Sequence, residues 1–461
     1  ERRVPSYGAI IAPTGPREGW QTSTRLTVTA RPFPHGGLAG ARMFADGLSS
    51  WVIRGVDDLL GPDASDDELV VFDRPAGSER DVVVLALATL AVAASGNLLA
   101  GPREQAKRIH DRIAGVPPSA QVLNQMEADI VAGRPIDAAN RALQSSAFYN
   151  VTLKNFVAPW TNREQSVFVP LNDYTATVIG MVRDDEPFNT VLSADVLYTG
   201  QGVAGVAAYS PSNNDHFEQL EQRGADLKTV LVKQQQSSLN GLPAAATAGV
   251  VTSRAASQAF FIAGTNRAMF RFTLMNHMCR DLEQVADTTR PPDRVRQDVA
   301  RSPGGDARVY LNSCVGCHAG MDPLTQAYAF YNYDDTQGRI VYTAGQGLPK
   351  YANNADNFKP GFVITDDRWD NYWRKGNNPL LGWDPALPGS GSGAKSMGQE
   401  LANSDAFAQC QVEKVFKAVC FRAPSDATDR ARIQSIKGAF RTSNFSLKRV
   451  FAETAVYCMG D

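Results

Sequence analysis

A Cys-x-x-Cys-His run lies in the C-terminal third of the chain, at Cys314, Cys317 and His318. This spacing is typical of covalent haem attachment, because two thiols add across the two vinyl groups of the porphyrin and the adjacent imidazole then lies beneath the iron. A chance run and half of a zinc site are the alternatives. Zinc would require a second pair of ligands nearby, and Cys410 and Cys420 do not form one. The run therefore predicts one haem c, with His318 as an axial iron ligand.

The second axial ligand is less directly indicated. Met397 lies far downstream, between a Gly/Ser loop and a helix, and is the first candidate. The Met275-Asn276-His277-Met278 cluster is the second candidate, and an open sixth position is the third. Met321 is too close to His318 to reach the opposite face of a haem. The three other histidines are predicted as surface residues: His35, His110 and His216.

Several polar residues could contact a haem or a cation. Arg339 and Arg280 are candidates for pairing with the propionates, and Tyr331 is a candidate at the haem edge together with Tyr328 and Tyr333. Each of these residues is also compatible with plain packing or a solvated charge. The acidic pairs Asp334-Asp335 and Asp366-Asp367 stand in Asn/Gly-rich loops where Ca²⁺ could bind, although their spacing is not that of an EF-hand.

The other four of the six cysteines are Cys279, Cys410, Cys420 and Cys458. An even remainder favours two disulfides and an oxidising compartment, and four buried free thiols are the alternative. Four cysteines allow three connectivities, among which the sequence does not choose.

Composition restricts the class of protein. The chain has 461 residues, 43% of them hydrophobic, and a formal net charge of -2. This supports a large folded core and implies neither nucleic acid nor an anionic membrane as a partner. Membrane association stays open. The sequence contains no phosphate-binding loop, zinc-protease motif or serine-hydrolase elbow.

Three regions are predicted. Residues 1-95 form an N-terminal segment of uncertain character, of which residues 1-80 are rich in Gly, Pro and Arg, with strands expected at Arg25 to Ala30 and Glu68 to Phe72. Within this region, about 80-94, the apolar stretch Val82 to Ala94 has the length of a signal-peptide core, with a buried helix and a marginal membrane anchor as alternatives. Residues 96-300 form a helical domain, and residues 301-461 form a c-type haem domain.

The expected fold is mainly α: a helical middle region followed by a C-terminal cytochrome c-like domain with long loops. Residues 199-245 are polar and are predicted as a long surface excursion. Helices are predicted over the following segments: Pro102 to Ala114, Ala120 to Ala132 after an N-cap at Ser119, Ile136 to Ser145, Phe148 to Phe156, Tyr174 to Val182, Ser253 to Ile262, Asn266 to Val285, Gly398 to Val419 and Arg430 to Val456.

The sequence after Cys314 resembles the C-x-x-C-H-x-x-M-D-P-L-G-F pattern of planctomycete-type cytochrome c proteins. Cys314, Cys317, His318 and the run Met321-Asp322-Pro323 match, and Leu324-Thr325-Gln326 departs from the pattern. Further similar stretches lie at Val182 to Phe188, Leu192 to Asp195, Gly249 to Thr252 and Phe407 to Cys410. The resemblance covers about residues 105-461. It implies a large periplasmic protein with one haem, and it does not identify the second axial ligand.

Three functions follow from these observations. The first is electron transfer in the periplasm or at the cell surface, with a redox partner protein. The second is a haem enzyme of the peroxidase or oxygenase kind, with an open sixth position. The third is a structural subunit of a surface assembly. An electron carrier is favoured over a catalyst.

Overall fold

The computed structural model describes four short strand segments and then most of the chain from residue 100 onward. The described ranges are residues 25–28, 41–46, 50–54, 70–73, 100–261, 266–295, 307–347 and 365–460. The chain divides into two compact units, Glu1–Leu99 and Ala100–Asp461. The apolar stretch Val82 to Ala94, predicted as a candidate signal peptide, and His35 lie outside the described residues.

The first unit contains an antiparallel four-stranded sheet in which sequential strands are neighbours. Its strands are β1 (Arg25–Val28), β2 (Ala41–Asp46), β3 (Ser50–Arg54) and β4 (Val70–Asp73). The register places Leu26 opposite Met43 and Val52 opposite Phe44. The two strands predicted from the sequence correspond to β1 and β4, and the two central strands were not predicted.

The second unit is mainly helical, as predicted. Its helices are α1 (Pro102–Ala114), α2 (Ala120–Val131), α3 (Pro135–Ala142), α4 (Lys154–Val157), α5 (Asp173–Arg183), α6 (Asp215–Gln222), α7 (Leu227–Val230), α8 (Gln236–Asn240), α9 (Arg254–Phe260), α10 (Asn266–Met278), α11 (Ala307–Val309), α12 (Val315–Thr325), α13 (Gly393–Ala402), α14 (Asp405–Cys420), α15 (Ala427–Thr442) and α16 (Leu447–Tyr457). Three two-stranded antiparallel ribbons accompany them: β5 (Leu197–Gly200) with β6 (Leu231–Gln234), β7 (Tyr331–Asp334) with β8 (Arg339–Tyr342), and β9 (Arg368–Asp370) with β10 (Ser390–Ser392).

Helix boundaries with strong local signals lie where the sequence predicts them. Pro102 occupies the first turn of α1, and Gly115 ends that helix in the left-handed conformation with φ 73°. The Ser119 side chain accepts a hydrogen bond from the Val122 amide and thereby caps α2. Within the described residues, no helix combines the length and the apolar character that crossing a membrane requires.

The predicted surface excursion over residues 199-245 is wrong in part. The segment contains β5, β6 and three helices, and Phe217 and Leu220 are buried in the main core. His216 is also buried: it accepts a hydrogen bond from the Gly200 amide at Nε2, 2.9 Å, and donates from Nδ1 to the Ala207 carbonyl, 2.7 Å. A polar composition concealed this packing because a few apolar residues on one helical face suffice to anchor a segment.

The two closing helices predicted from the sequence are four helices in the structure. The first predicted helix is divided at Ser404, whose side chain accepts a hydrogen bond from the Phe407 amide and so caps the start of α14. Asn444 and Phe445 adopt left-handed backbone conformations and separate α15 from α16. The predicted helix Asn266 to Val285 likewise ends at Met278, because Cys279 is left-handed with φ 52°.

The four cysteines outside the Cys-x-x-Cys-His run are paired. The structure joins Cys279 to Cys410 and Cys420 to Cys458. The first pair connects the end of α10 to α14, and the second connects the end of α14 to the residue after α16. One hydrophobic core includes residues from both predicted domains, 96-300 and 301-461.

A buried ion pair stabilises the C-terminal helices. The Asp429 carboxylate accepts hydrogen bonds from Arg422, 2.8 Å, from Tyr457, 2.8 Å, and from the Ser425 amide, 2.8 Å. The Arg422 guanidinium, helped by the other donors, holds the pKa of Asp429 well below its ordinary value of 3.8. A carboxyl group whose pKa is lower in the folded state contributes its stability above the unfolded-state pKa and loses it as the pH falls.

We therefore expect Asp429→Asn to lower the melting temperature at neutral pH, and the difference from the wild type to shrink as the pH falls below about 4. Thermal unfolding followed by circular dichroism across this range measures both effects. Asp137→Asn is the matched control, because Asp137 pairs with Arg134 at an exposed site and should change the melting temperature little. A difference that stays constant down to acid pH would contradict the assignment.

Candidate functional site

The Cys-x-x-Cys-His run lies at the start of α12. A π-helical turn over Tyr310–Cys314 leads directly into the α-helix, with Cys314 at its N-cap position. π-helical turns are rare and are often found at functional sites. Residues three apart on a helix are surface neighbours, so Cys314 and Cys317 lie one turn apart on the same side. His318 follows on the first turn of α12.

Cys314 and Cys317 are the only unpaired cysteines in the described part of the chain. Both are half-buried. The Cys317 thiol lies 3.5 Å from the carbonyl oxygen of Leu282, and burial raises its pKa above the ordinary value. The structure therefore separates four bonded cysteines from two that are available for another covalent bond.

The His318 imidazole is held on one side and open on the other. Its Nδ1 lies 3.0 Å from Oδ2 of Asp322, which is one helical turn further along α12. Because a carboxylate only accepts hydrogen bonds, Nδ1 carries the proton and Nε2 presents its lone pair. Among the described residues, Nε2 makes no hydrogen bond, and the side chain is 19% exposed. This is the state in which histidine ligates a metal.

Apolar side chains precede the run on its N-terminal side. The buried Tyr310 ring packs on His318 with the ring centroids 5.6 Å apart. Val309 and Leu311, on the turn before Cys314, are 39% and 47% exposed. Two free thiols, a histidine with an open Nε2 and adjacent exposed apolar side chains are the donor set and the surface that a covalently bound haem requires. The residues present fit this group.

Met397, the first candidate for the second axial ligand, lies in the main core. Its side chain is 1% exposed on α13, and this helix packs against Gln326–Tyr328, the turn that follows α12. Eight residues of helix, a rise of about 12 Å, separate His318 from the start of that turn. Met397 as an iron ligand stays a prediction.

The residues of the alternative ligand cluster lie on α10. His277 is fully buried, its Nε2 lies 2.7 Å from the Tyr174 hydroxyl, and burial lowers its pKa well below the ordinary value. The ring packs between Trp160 and Phe407. Met278 is buried and Met275 is half-buried. These contacts describe His277 as a neutral histidine of the core.

The prediction that His110 and His216 are surface residues is wrong. Both are buried, and His110 donates from Nδ1 to the Val116 carbonyl, 2.9 Å away. Burial lowers the pKa of His110. Each imidazole satisfies a backbone group in a loop, and the sequence around a histidine does not show which loop will fold over it.

Two of the residues predicted at the haem, Tyr331 and Arg339, lie on the β7–β8 ribbon. Arg339 donates to the Asn240 carbonyl, 2.9 Å, and the buried Tyr331 hydroxyl donates to the Ala246 carbonyl, 2.5 Å. Both hydrogen bonds anchor the ribbon to residues 240–246. The structure thus gives Arg339 and Tyr331 partners away from α12, and a role at the haem stays a prediction for them.

The other polar candidates are also engaged locally. Arg280 donates to the Cys279 carbonyl, the Tyr333 hydroxyl lies 3.4 Å from Arg254, and the Tyr328 ring packs on Phe261. Each of these residues therefore contacts a neighbouring backbone group, side chain or ring of the protein.

In each acidic pair proposed for Ca²⁺, one carboxylate is engaged in hydrogen bonds with the protein. Asp334 accepts hydrogen bonds from the Thr336 and Gln337 amides in the β7–β8 turn, and Asp366 accepts from Arg368 and Gln326. No group of three or more histidine, cysteine, aspartate or glutamate side chains is placed to hold a metal ion in the described ranges. Ca²⁺ binding stays a prediction.

Sequence reasoning missed the roles of Asp322 and Arg267. Arg267 of α10 donates from Nε to Oδ1 of Asp322 at 2.9 Å, and the Asp322 side chain is fully buried. The spacing of four residues between His318 and Asp322 is a local signal that was available, since such residues are neighbours on a helix. Arg267 is 55 residues away from Asp322, and no local pattern connects them.

No model of a known protein family, no curated protein and no solved structure matches this chain. The resemblance to planctomycete-type cytochromes therefore rests on the motif at Cys314–Pro323 and the shorter similar stretches.

Proposed function

We propose that this protein is an exported mono-haem c-type cytochrome of the planctomycete type that transfers electrons to or from a redox partner protein. One observation carries the proposal. The two cysteines of the Cys-x-x-Cys-His run are free while the other four are bonded, and they lie beside a histidine whose Nδ1 is held and whose Nε2 is open.

Each residue of the site has a defined task in this proposal. Cys314 and Cys317 would hold the haem through thioether bonds, and His318 would ligate the iron through Nε2. Asp322 keeps the proton on Nδ1 of His318, and Tyr310 covers one side of the imidazole. When bound, the haem supplies a one-electron Fe(III)/Fe(II) couple. Orienting the iron ligand in this way would be the protein's share in a carrier.

Export to an oxidising compartment is supported by the two cysteine pairs. Disulfides persist in the periplasm and outside the cell and are rare in the cytosol. Cys279–Cys410 and Cys420–Cys458 join helices that are distant in sequence, with separations of 131 and 38 residues. Their connectivity is therefore part of the tertiary structure.

The visible spectrum of the full chain tests the proposal. The protein is produced in a bacterial periplasm together with a haem-attachment system, and haem is quantified after denaturation as the pyridine complex. We expect one haem per chain and a six-coordinate, low-spin spectrum that does not change with CO or peroxide. A high-spin ferric spectrum with CO binding would overturn the carrier in favour of a haem enzyme, and a chain without covalent haem would overturn both.

The same spectrum tests the second axial ligand. If Met397 ligates the iron, Met397→Ala removes the methionine-to-iron charge-transfer band, whereas Met278→Ala leaves it in place. An unchanged band in Met397→Ala would exclude Met397.

A further inference from the structure

We propose that Asp322 is a positioning residue for the iron ligand His318, and that the Arg267–Asp322 pair sets the reduction potential of the haem. The inference rests on the proposed function, since it concerns the haem that His318 would ligate. The juxtaposition that carries it is a chain of contacts from α10 to α12: Arg267, Asp322, His318.

The chain of contacts is short and directional. Arg267 donates to Asp322 through Nε at 2.9 Å and through a second nitrogen at 3.4 Å, a two-point contact between guanidinium and carboxylate. The same carboxylate accepts from Nδ1 of His318 at 3.0 Å. The Asp322 side chain is fully buried and that of Arg267 is largely buried. Water therefore screens these charges weakly.

The carboxylate has two effects on the imidazole. It fixes the tautomer and the ring orientation, and it makes the imidazole a stronger electron donor at Nε2. A stronger donor and a nearby negative charge both favour Fe(III) over Fe(II), so Asp322 lowers the potential. Arg267 donates hydrogen bonds to the same carboxylate and places a positive charge next to it, which partly offsets the negative charge of Asp322. Its effect on the potential therefore has the opposite sign.

The alternative is an ion pair that only joins α10 to α12 and has no effect on His318. Its removal would destabilise both oxidation states alike and would leave the potential in place. The geometry differs from that case because Oδ2 of Asp322 accepts the Nδ1 hydrogen bond of His318, the proposed iron ligand. A change at Asp322 or at Arg267 should therefore appear in the potential, with a different sign for each.

The experiment compares Asp322→Asn and Arg267→Gln in the haem-loaded full chain by spectroelectrochemical titration. We expect the midpoint potential to become more positive in Asp322→Asn and more negative in Arg267→Gln. The matched controls are Asp137→Asn and Arg134→Gln, because Arg134 pairs with Asp137 at an exposed site at the start of α3 and neither residue contacts His318. The controls should shift the potential less than either test variant.

The outcomes separate this inference from the proposed function. Covalent haem is first stained on a denaturing gel of the wild type, and its absence there would end the proposed function. With haem present, shifts of the same sign in both variants, or shifts no larger than those of the controls, would overturn the role of Asp322. If Asp322→Asn does not accumulate, Arg267→Gln still decides, because a purely structural ion pair predicts no negative shift.

Discussion

If the proposed haem attachment is right, the double variant Cys314→Ser/Cys317→Ser is expected to retain no haem after denaturation, and the wild type is expected to retain one. The reason is covalent: these two thiols are the only free ones in the described structure, and they lie one turn apart next to His318. A serine hydroxyl does not replace a thiol in the addition to a vinyl group, so the loss should be complete. Haem staining of a denaturing gel, with the chain itself detected by antibody, measures the amount of haem per chain.

Serine at Cys420 and Cys458 is the matched control. This double variant also removes two sulfurs, but from a bonded pair that joins the end of α14 to the residue after α16. It should lower the melting temperature, since a lost disulfide typically costs about 2–5 kcal/mol in small domains, and leave haem on the denatured chain. Haem retained by the Cys314/Cys317 variant, or lost equally from both double variants, would contradict the assignment of the attachment site.

The parts of the fold that follow from local chemistry could be predicted. Ser119 caps α2 and Gly115 ends α1 because a hydroxyl and a left-handed glycine satisfy backbone groups within a few residues. The same holds for the site: Cys314, Cys317 and His318 are defined by a spacing of five residues. Such signals do not depend on what the rest of the chain does.

The remaining features depend on contacts between distant residues. His216 is buried because the loop at Ala207 and strand β5 close around it, and nothing in its own neighbourhood shows this. Cys279 pairs with Cys410 because α10 packs on α14. The partner of Asp322 likewise comes from another helix. Tertiary packing decides these outcomes, and it overrides local polarity and propensity.

Gly320, two residues after His318, shows how tertiary packing changes the expected effect of a substitution. In sequence it is a glycine inside a helix, where alanine would normally add stability of about 1 kcal/mol. In the structure, a Cβ atom at Gly320 would lie 1.9 Å from Nε1 and 2.4 Å from Cε2 of Trp373. The indole is fully buried and packs on Phe270, and the Trp373 carbonyl accepts a hydrogen bond from Trp383. The ring therefore has little room to retreat.

We expect Gly320→Ala to destabilise the protein by about 1–3 kcal/mol, because overpacking a filled core outweighs the gain in helix propensity. Thermal unfolding and near-ultraviolet circular dichroism should show a lower melting temperature and an altered tryptophan environment. Gly438→Ala is the control: this glycine is exposed inside α15, a Cβ atom there meets nothing within 4 Å, and the substitution should stabilise the protein.

A smaller ring opposite Gly320 distinguishes a clash from a general defect of α12. Trp373→Phe should by itself cost stability, since it leaves a cavity, but in that background Gly320→Ala should cost less than it does in the wild type. Equal costs in the two backgrounds would show that the tryptophan does not oppose the Cβ atom. Because Gly320 lies two residues after His318, the clash would also displace the helix that presents the imidazole. If the proposed haem is bound, Gly320→Ala should therefore change its spectrum as well as the melting temperature, and both changes should be smaller in the Trp373→Phe background.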